Sequence, residues 1–188
     1  MFDVAEIMCP KDTRNLARLP RMQEIYAALW KVANRHKPET IFEIGVRAGY
    51  SAYTLITGSG VAREYTGWDV DDRERYGGPW MWWAQKLLDG LRETYGLDYD
   101  MWLADSQEAD NLPGTFDLIH VDGDHTYEGC LHDMEICWPA VNPGGVMVVD
   151  DATYLPGPRK ACEDWACDGM AEMYLEPSPT GSMVYVKA

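Results

Sequence analysis

Basic residues are scarce in this sequence. Its 188 residues include 16 Lys and Arg against 31 Asp and Glu, which leaves a formal net charge of -15. A field of that sign repels the phosphates of nucleic acids and anionic membrane surfaces. We therefore expect no nucleic-acid partner and no membrane partner.

Long apolar runs are also absent. No stretch approaches the roughly 18 consecutive apolar residues of a transmembrane helix. The first eight residues carry acids where a signal peptide would carry basic residues. These absences predict a soluble protein of the cytoplasm.

Cysteine motifs are missing as well. The five cysteines are odd in number, and they form neither a CxxC pair nor a zinc-finger spacing. They are Cys9, Cys130, Cys137, Cys162 and Cys167. Reduced thiols are the expectation for all of them.

The chain is long enough for one α/β domain and too short for two, so residues 1–188 are predicted to form a single domain. Residues 1–37 are expected to be an N-terminal helical cap, because apolar residues recur at helical steps between Thr13 and His36, with a break or kink near Pro20. Residues 38–188 alternate strand-like and helix-like runs. That alternation predicts an α/β fold with a mainly parallel sheet and helices on both faces.

The predicted strands are short apolar runs bounded by turn residues, with helices between them. The strands are Ile41–Val46, Tyr65–Val70, Tyr99–Ala104, Phe116–Val121 and Val146–Val149, and a closing antiparallel hairpin joins Met170–Leu175 to Met183–Val186. The helices are Ser51–Thr57, Trp82–Tyr95 and Tyr127–Trp138, and a turn is expected at Asn142–Gly145. Ligands of such sheets bind at the carboxyl ends of the strands, so functional residues are expected directly after each apolar run.

The first predicted strand leads into a glycine turn, Glu43-x-Gly45-x-x-x-Gly49. Glycine lets the backbone approach a ligand closely, and the following helix offers unpaired N–H groups to an anion. The same pattern is common as tight packing, and its spacing departs from the GxGxxG dinucleotide fingerprint. It favours a nucleoside with a small charged tail over NAD or FAD.

Polar residues also follow the second and third strands. Asp69 could accept hydrogen bonds from both hydroxyls of a ribose. Asp105 and Ser106 could contact an adenine ring, or they could simply cap a helix, and both interpretations stay open.

Carboxylates follow the fourth and fifth strands, at Asp122, Asp124, Asp150 and Asp151. Adjacent strand ends bring such groups together, and they repel one another unless a cation neutralises them. Oxygen ligands of this type suit Mg2+, Ca2+ or Mn2+ rather than zinc. We expect a divalent metal on Asp122, Asp150 and Asp151, with Asp124 orienting a neighbour. The competing interpretation is that these acids cap the following helix and turn.

Two further side chains are candidates for the same site. His125 stands three residues beyond Asp122, and an ordinary imidazole pKa suits proton abstraction near neutrality. Arg47, inside the glycine turn, could contact a cofactor carboxylate or pair with an acid. His120 lies within a strand and is expected to be a hydrogen-bonded core residue.

These motifs together resemble the class I S-adenosylmethionine (SAM) dependent methyltransferases. They look most like the metal-dependent O-methyltransferases of the catechol and natural-product type, and the resemblance covers residues 38–188. It is carried by residues 43–51, Asp69, Asp105, Ser106, residues 116–129 and residues 142–151.

The resemblance implies a seven-stranded, Rossmann-like, doubly wound sheet and a cofactor site. Glu43, Gly45 and Gly49 would surround the methionine part of SAM, Asp69 would hold its ribose, and Asp105 and Ser106 would lie by its adenine. Arg47, Tyr50, Ser51 and Asp122 complete the expected cofactor-binding set. Mg2+ would bind Asp122, Asp150 and Asp151. The catechol-type enzymes commonly have a lysine where this sequence has His125, which makes His125 the candidate base.

The expected activity is metal-assisted O-methylation of a hydroxyl on a small molecule, with His125 as general base. Two alternatives remain: a metal-independent methyltransferase of the same fold, and a SAM-binding protein without turnover. The acceptor would lie under the N-terminal cap and the segment from Arg73 to Trp83. Homo-oligomerisation stays open.

Overall fold

The computed structural model describes residues 3–70, 80–165 and 167–188. Residues 71–79 lie outside the described residues, and they include residues 73–79 of the segment Arg73–Trp83 that was expected to cover the acceptor. In the described part of the chain, no helix is long and apolar enough to cross a membrane.

Seven strands form one mixed sheet in the order β3-β2-β1-β4-β5-β7-β6. Strands β1 to β5 are parallel, whereas β7 is antiparallel to both β5 and β6. Their bounds are Thr40–Ile44 (β1), Glu64–Asp69 (β2), Asp98–Leu103 (β3), Phe116–Val121 (β4), Val141–Val149 (β5), Met170–Glu176 (β6) and Ser182–Lys187 (β7). This confirms the predicted fold class, including the antiparallel C-terminal hairpin.

Seven α-helices lie within the described residues. They are Val4–Ile7 (α1), Thr13–Leu16 (α2), Leu19–His36 (α3), Tyr50–Ser59 (α4), Trp80–Tyr95 (α5), Tyr127–Cys137 (α6) and Pro156–Asp164 (α7), and short 3-10 turns occupy Ser106–Glu108 and Trp138–Ala140. The predicted break near Pro20 is confirmed, since α3 begins at Leu19 and Pro20 lies in its first turn, where a missing N–H costs nothing.

Alternate residues of each strand point to opposite faces, and each face has its own core. Ile41 packs in a cluster with residues of α3, α4 and α5, whereas its neighbour Phe42 packs in a second cluster with residues of α6 and α7. Both side chains are fully buried. Helices therefore cover both faces, as predicted.

One local prediction was wrong. Residues 142–145 were expected to be a turn before the fifth strand, but β5 already begins at Val141, and its register with β4 shifts between Phe116 and Leu118. No element was predicted for residues 156–164, where the structure has α7. Pro156 and Pro158 stand in the first turn of α7, where they are tolerated.

The N-terminal segment packs on the carboxyl-terminal side of the sheet. Val4, Ile7, Met8 and Cys9 form a small apolar cluster with Ala48, Tyr50 and Trp80. The indole N–H of Trp83 donates to the carbonyl of Ile7 at 2.8 Å. The start of the chain is thereby attached to the glycine turn and to the beginning of α5.

Candidate active site

A cavity of about 560 Å³ opens at the carboxyl ends of the central strands. This volume lies within the range of roughly 300–1,000 Å³ that cofactor and small-molecule sites occupy. Seven of the residues predicted from the sequence line it: Gly45, Arg47, Asp69, Asp105, Ser106, Asp122 and His125. The topology brings them together because parallel strands end at one edge of the sheet.

Gly45 allows the first strand to turn directly against the fourth. Its φ of 91° lies in the region that favours glycine, and a Cβ there would stand 1.9 Å from the carbonyl oxygen of Asp122. The turn is also tied to the second strand, since the backbone N–H of Arg47 donates to Asp69 Oδ2 at 2.6 Å. The carboxylate of Asp69 is thus held at the cavity wall by the turn itself.

The Arg47 side chain pairs with an acid. Its Nη1 lies 3.1 Å from Asp12 Oδ2, and its guanidinium stands 4.4 Å from the centre of the Trp80 ring. Asp12 is 2% exposed, so this ion pair is largely shielded from water. Of the two interpretations left open by the sequence, the structure shows pairing with an acid.

Four of the predicted cofactor residues do not line the cavity. Gly49 packs against the backbone of Ala84, and Ser51 is buried in the first turn of α4. The Tyr50 hydroxyl accepts from the backbone N–H of Cys9 at 2.9 Å and donates to Asp12 at 3.2 Å. The fourth residue, Glu43, lies inside the sheet.

Glu43 is fully buried and links three neighbouring strands. It accepts a hydrogen bond of 2.5 Å from the Tyr65 hydroxyl and contacts His120 Nδ1 at 2.8 Å. Burial alone would lower the pKa of His120, but the bond to Glu43 and its charge outweigh that and raise the pKa to about 9. His120 is therefore a hydrogen-bonded core residue, as expected.

Asp105 and Ser106 lie at the cavity wall and also begin a short helix. Asp105 accepts from the backbone N–H of Gln107 at 3.0 Å, which is the capping role that the sequence allowed. Gln107 lines the cavity too, and its amide donates to the buried carboxylate of Asp133 at 2.8 Å. Sequence reasoning missed both residues because nothing local links position 107 with position 133.

Asp122, His125 and Asp151 form the candidate metal site. One donor atom from each residue lies within 4.8 Å of the other two. Nε2 of His125 stands 3.2 Å from Asp122 Oδ1 and 3.2 Å from Asp151 Oδ2. Asp151 reaches this position with a left-handed φ of 54°. The two carboxylates are oxygen donors of the kind that divalent ions bind, so Asp122 and Asp151 fit a metal with His125 beside it.

The hydrogen bonds to Asp122 and Asp151 raise the pKa of His125 to about 10. In the arrangement described, His125 is therefore an imidazolium at neutral pH and bridges the two carboxylates. An imidazolium cannot accept a proton. A role as base requires that another cation neutralise these carboxylates instead.

Asp150, a predicted metal ligand, lies outside this cluster. Its carboxylate accepts a hydrogen bond of 3.0 Å from Ser182 and a longer one of 3.4 Å from Thr180. Burial and the charge of Asp122 raise the pKa of Asp150 to about 6. Asp124, predicted to orient a neighbour, accepts from the backbone N–H of Thr126 at 2.9 Å.

A family described as a methyltransferase domain matches residues 42–152. Among curated proteins, an uncharacterized protein of Acanthamoeba polyphaga mimivirus is 40% identical over 42 residues, which are 22% of this chain. The matched stretch spans only 19% of that viral protein.

Solved methyltransferases share the fold. An O-methyltransferase from Bacillus cereus, in complex with SAH, has a TM-score of 0.65 at 16% identity, covering 99% of this chain and 90% of that one. TomG from Streptomyces achromogenes, an O-methyltransferase involved in tomaymycin synthesis and solved with SAM, has a TM-score of 0.58 at 18% identity, covering 85% and 78%. A TDP-rhamnose 3'-O-methyltransferase of calicheamicin biosynthesis has a TM-score of 0.65 at 20% identity, covering 97% and 89%.

Proposed function

This chain belongs to the methyltransferase domain family, and on that premise we propose that it is a SAM-dependent O-methyltransferase acting on a hydroxyl of a small molecule. The observation that carries the proposal is the convergence at one cavity of Gly45, Asp69, Asp105 and the group Asp122 to His125. The acidic wall suits a cationic cofactor that carries hydroxyl and amino donors.

When bound, SAM supplies an electrophilic methyl group on a sulfonium. The chain's own contribution is then to position an acceptor oxygen and to remove its proton. Asp122 and Asp151 would hold a divalent metal, and Mg2+ is our proposal for the ion. With their charge neutralised, His125 would carry the neutral imidazole needed to take the hydroxyl proton.

A metal-independent methyltransferase remains a second candidate, and one observation favours it. The imidazolium of His125 contacts both carboxylates at 3.2 Å and offsets one of their two negative charges, so part of the repulsion is relieved without an ion. In that case the acids would orient the histidine rather than bind a metal.

Cofactor binding is tested by isothermal titration calorimetry with SAM and with NADH. We expect one SAM per chain, no NADH binding, and at least tenfold weaker SAM binding in Asp69→Asn. Asp98→Asn is the matched control, because this exposed residue lies at the opposite end of the sheet. Failure of the wild-type protein to bind SAM would refute the proposal.

Metal binding is tested by titrating Mn2+ or Mg2+ into chelator-treated protein. The geometry predicts that Asp151→Asn abolishes binding and that Asp150→Asn changes it only a few-fold. Equal losses in both variants would support the ligand set expected from the sequence. Absence of saturable binding in the wild-type protein would favour the metal-independent candidate.

A further inference from the structure

The segment from residue 11 to residue 21 is cationic in an acidic chain. It contains Lys11, Arg14, Arg18 and Arg21 with a single acid, Asp12, whereas the other 177 residues hold 12 Lys and Arg against 30 Asp and Glu. We call Arg14, Arg18 and Arg21 the arginine patch. Arg14 and Arg18 are exposed and Arg21 is half-buried.

The arginine patch lacks a partner of opposite charge among residues 3–70, 80–165 and 167–188. No carboxylate in the described part of the chain lies within ion-pair distance of its members. The basic residues at the other end of α3 differ in this respect, since Arg35 pairs with Glu172 at 3.3 Å and Lys37 donates to Asn34 at 2.8 Å. Those residues also complement the carboxyl end of the helix.

Contacts at both ends attach the segment to residues at or beside the cavity. At one end Asp12 pairs with Arg47 of the glycine turn at 3.1 Å. At the other end the Arg21 guanidinium stands 4.6 Å from the centre of the Tyr154 ring. The N–H of Tyr154 donates to the carbonyl of Asp151 at 3.0 Å, so this contact adjoins the candidate metal site.

The direction of α3 sets the distance from the patch to the reacting groups. The helix ends at His36, just before β1 begins at the amino edge of the sheet, so its start lies at the carboxyl edge. Tyr26, further along α3, lies closer to the protein interior, and its ring centre stands 6.1 Å from that of Tyr50. Burial raises the pKa of Tyr26, and the charges of Asp122 and Asp150 raise it further. Arg18 stands eight residues earlier, about 12 Å further out at 1.5 Å per residue.

We propose that the methyl acceptor carries a phosphate or diphosphate group, which binds the arginine patch while its hydroxyl reaches Asp122, His125 and Asp151. The inference rests on the proposed function and adds the class of acceptor. Guanidinium groups bind phosphate oxygens in pairs of charge-assisted hydrogen bonds. A net charge of -15 repels anions from the protein as a whole, so a bound anion needs a local cationic contact of this kind.

The test is isothermal titration of chelator-treated protein with inorganic pyrophosphate. We expect saturable binding to the wild-type protein and at least tenfold weaker binding to R14Q/R18Q. Both residues are exposed, so the variant should keep its fold, which circular dichroism checks. K31Q/R63Q removes the same charge elsewhere and should bind pyrophosphate within twofold of wild type.

Several outcomes would overturn the inference: no saturable binding to wild type, equal weakening in both double variants, or malonate binding as tightly as pyrophosphate with the same dependence on Arg14 and Arg18. The last result would indicate a carboxylate acceptor. SAM titrations of the same samples separate this inference from the proposed function. If SAM binds and pyrophosphate does not, only the acceptor class is refuted.

Discussion

At the scale of single residues, Asp133 shows how burial changes a carboxyl group. It is fully buried in α6, where Oδ1 accepts from Gln107 and Oδ2 has no hydrogen-bond partner among the described residues. Burial raises its pKa to about 6, against the opposing influence of Ser106, the backbone of Asp124 and the charge of His132. Because the folded state binds this proton more tightly than the unfolded state, the contribution of Asp133 to stability falls as pH rises through 4 to 6.

Asp133→Asn should therefore gain stability relative to wild type as the pH rises. We expect the difference in free energy of unfolding between variant and wild type to increase by on the order of 2 kcal/mol between pH 4.5 and pH 7.5. Urea unfolding at the two pH values measures it, with exposed Asp98→Asn as control. A difference that is the same at both pH values would contradict the prediction.

The proposed base, His125, is a second example at the scale of single residues. From the sequence, His125 had the pKa of an ordinary imidazole and was suited to act as a base. The structure instead gives it two carboxylate partners at 3.2 Å, which hold its proton. Whether His125 can accept a proton thus depends on what else binds Asp122 and Asp151. The sequence position of a histidine does not determine this.

At the scale of secondary structure elements, Glu43 joins β1 to both of its neighbours. Tyr65 belongs to β2 and His120 to β4, so one side chain crosslinks three central strands. A buried charge that loses its partner is strongly destabilising. The predicted role of Glu43 beside the cofactor remains untested, and its observed contacts give it a structural one.

Glu43→Gln should destabilise the fold by about 3–5 kcal/mol, because it breaks a buried charged pair and leaves His120 in an environment that disfavours its protonated form. Glu39→Gln is the control: Glu39 and Arg63 are 61% and 78% exposed at 3.6 Å, and such pairs contribute about 1 kcal/mol or less. Urea unfolding followed by tryptophan fluorescence measures both. If Glu43→Gln changed the free energy of unfolding only slightly but greatly weakened SAM binding, the result would indicate the cofactor role instead.

The Trp-rich start of α5 contacts two other parts of the molecule, the glycine turn and the N-terminal segment. Trp80 is buried against the Arg47 guanidinium, and Trp83 donates to the N-terminal segment, whereas Trp82 is 61% exposed. Most of this cluster therefore attaches the N-terminal cap to the glycine turn. The order of these contacts along the helix follows from its periodicity.

At the scale of the whole molecule, the excess of 15 negative charges opposes compaction, because like charges are closer together in the folded state. The Debye length falls from about 30 Å at 0.01 M salt to about 8 Å at 0.15 M. Added salt therefore weakens this self-repulsion.

We expect Tm to rise by roughly 2–4 °C over that salt range if screening recovers about 1 kcal/mol. Differential scanning calorimetry in the presence of a chelator measures this, with NaCl and choline chloride compared at equal ionic strength. Equal effects of the two salts would identify general screening. A Tm that does not respond to salt would mean that the acids are too dispersed for their repulsion to matter.

The sequence by itself determined the fold class and most of the strands. Period-two and helical patterns are local, and β4 appears at Phe116–Val121 as predicted. The exceptions are also local: the shifted register of β5 and the proline-led start of α7 use residues that ordinarily mark turns. Family membership likewise followed from motifs within short segments.

Tertiary structure alone decided which candidate residues meet. Asp12 and Arg47 are 35 positions apart, Gln107 and Asp133 are 26 apart, and no periodicity connects such pairs. It also separated Asp150 from Asp151: Asp150 follows the end of β5 and bonds to Ser182, whereas the left-handed backbone of Asp151 brings its carboxylate to His125. Sequence patterns report what each segment prefers, whereas contacts, burial and pKa values depend on how the segments pack, and the composition of the site was decided there.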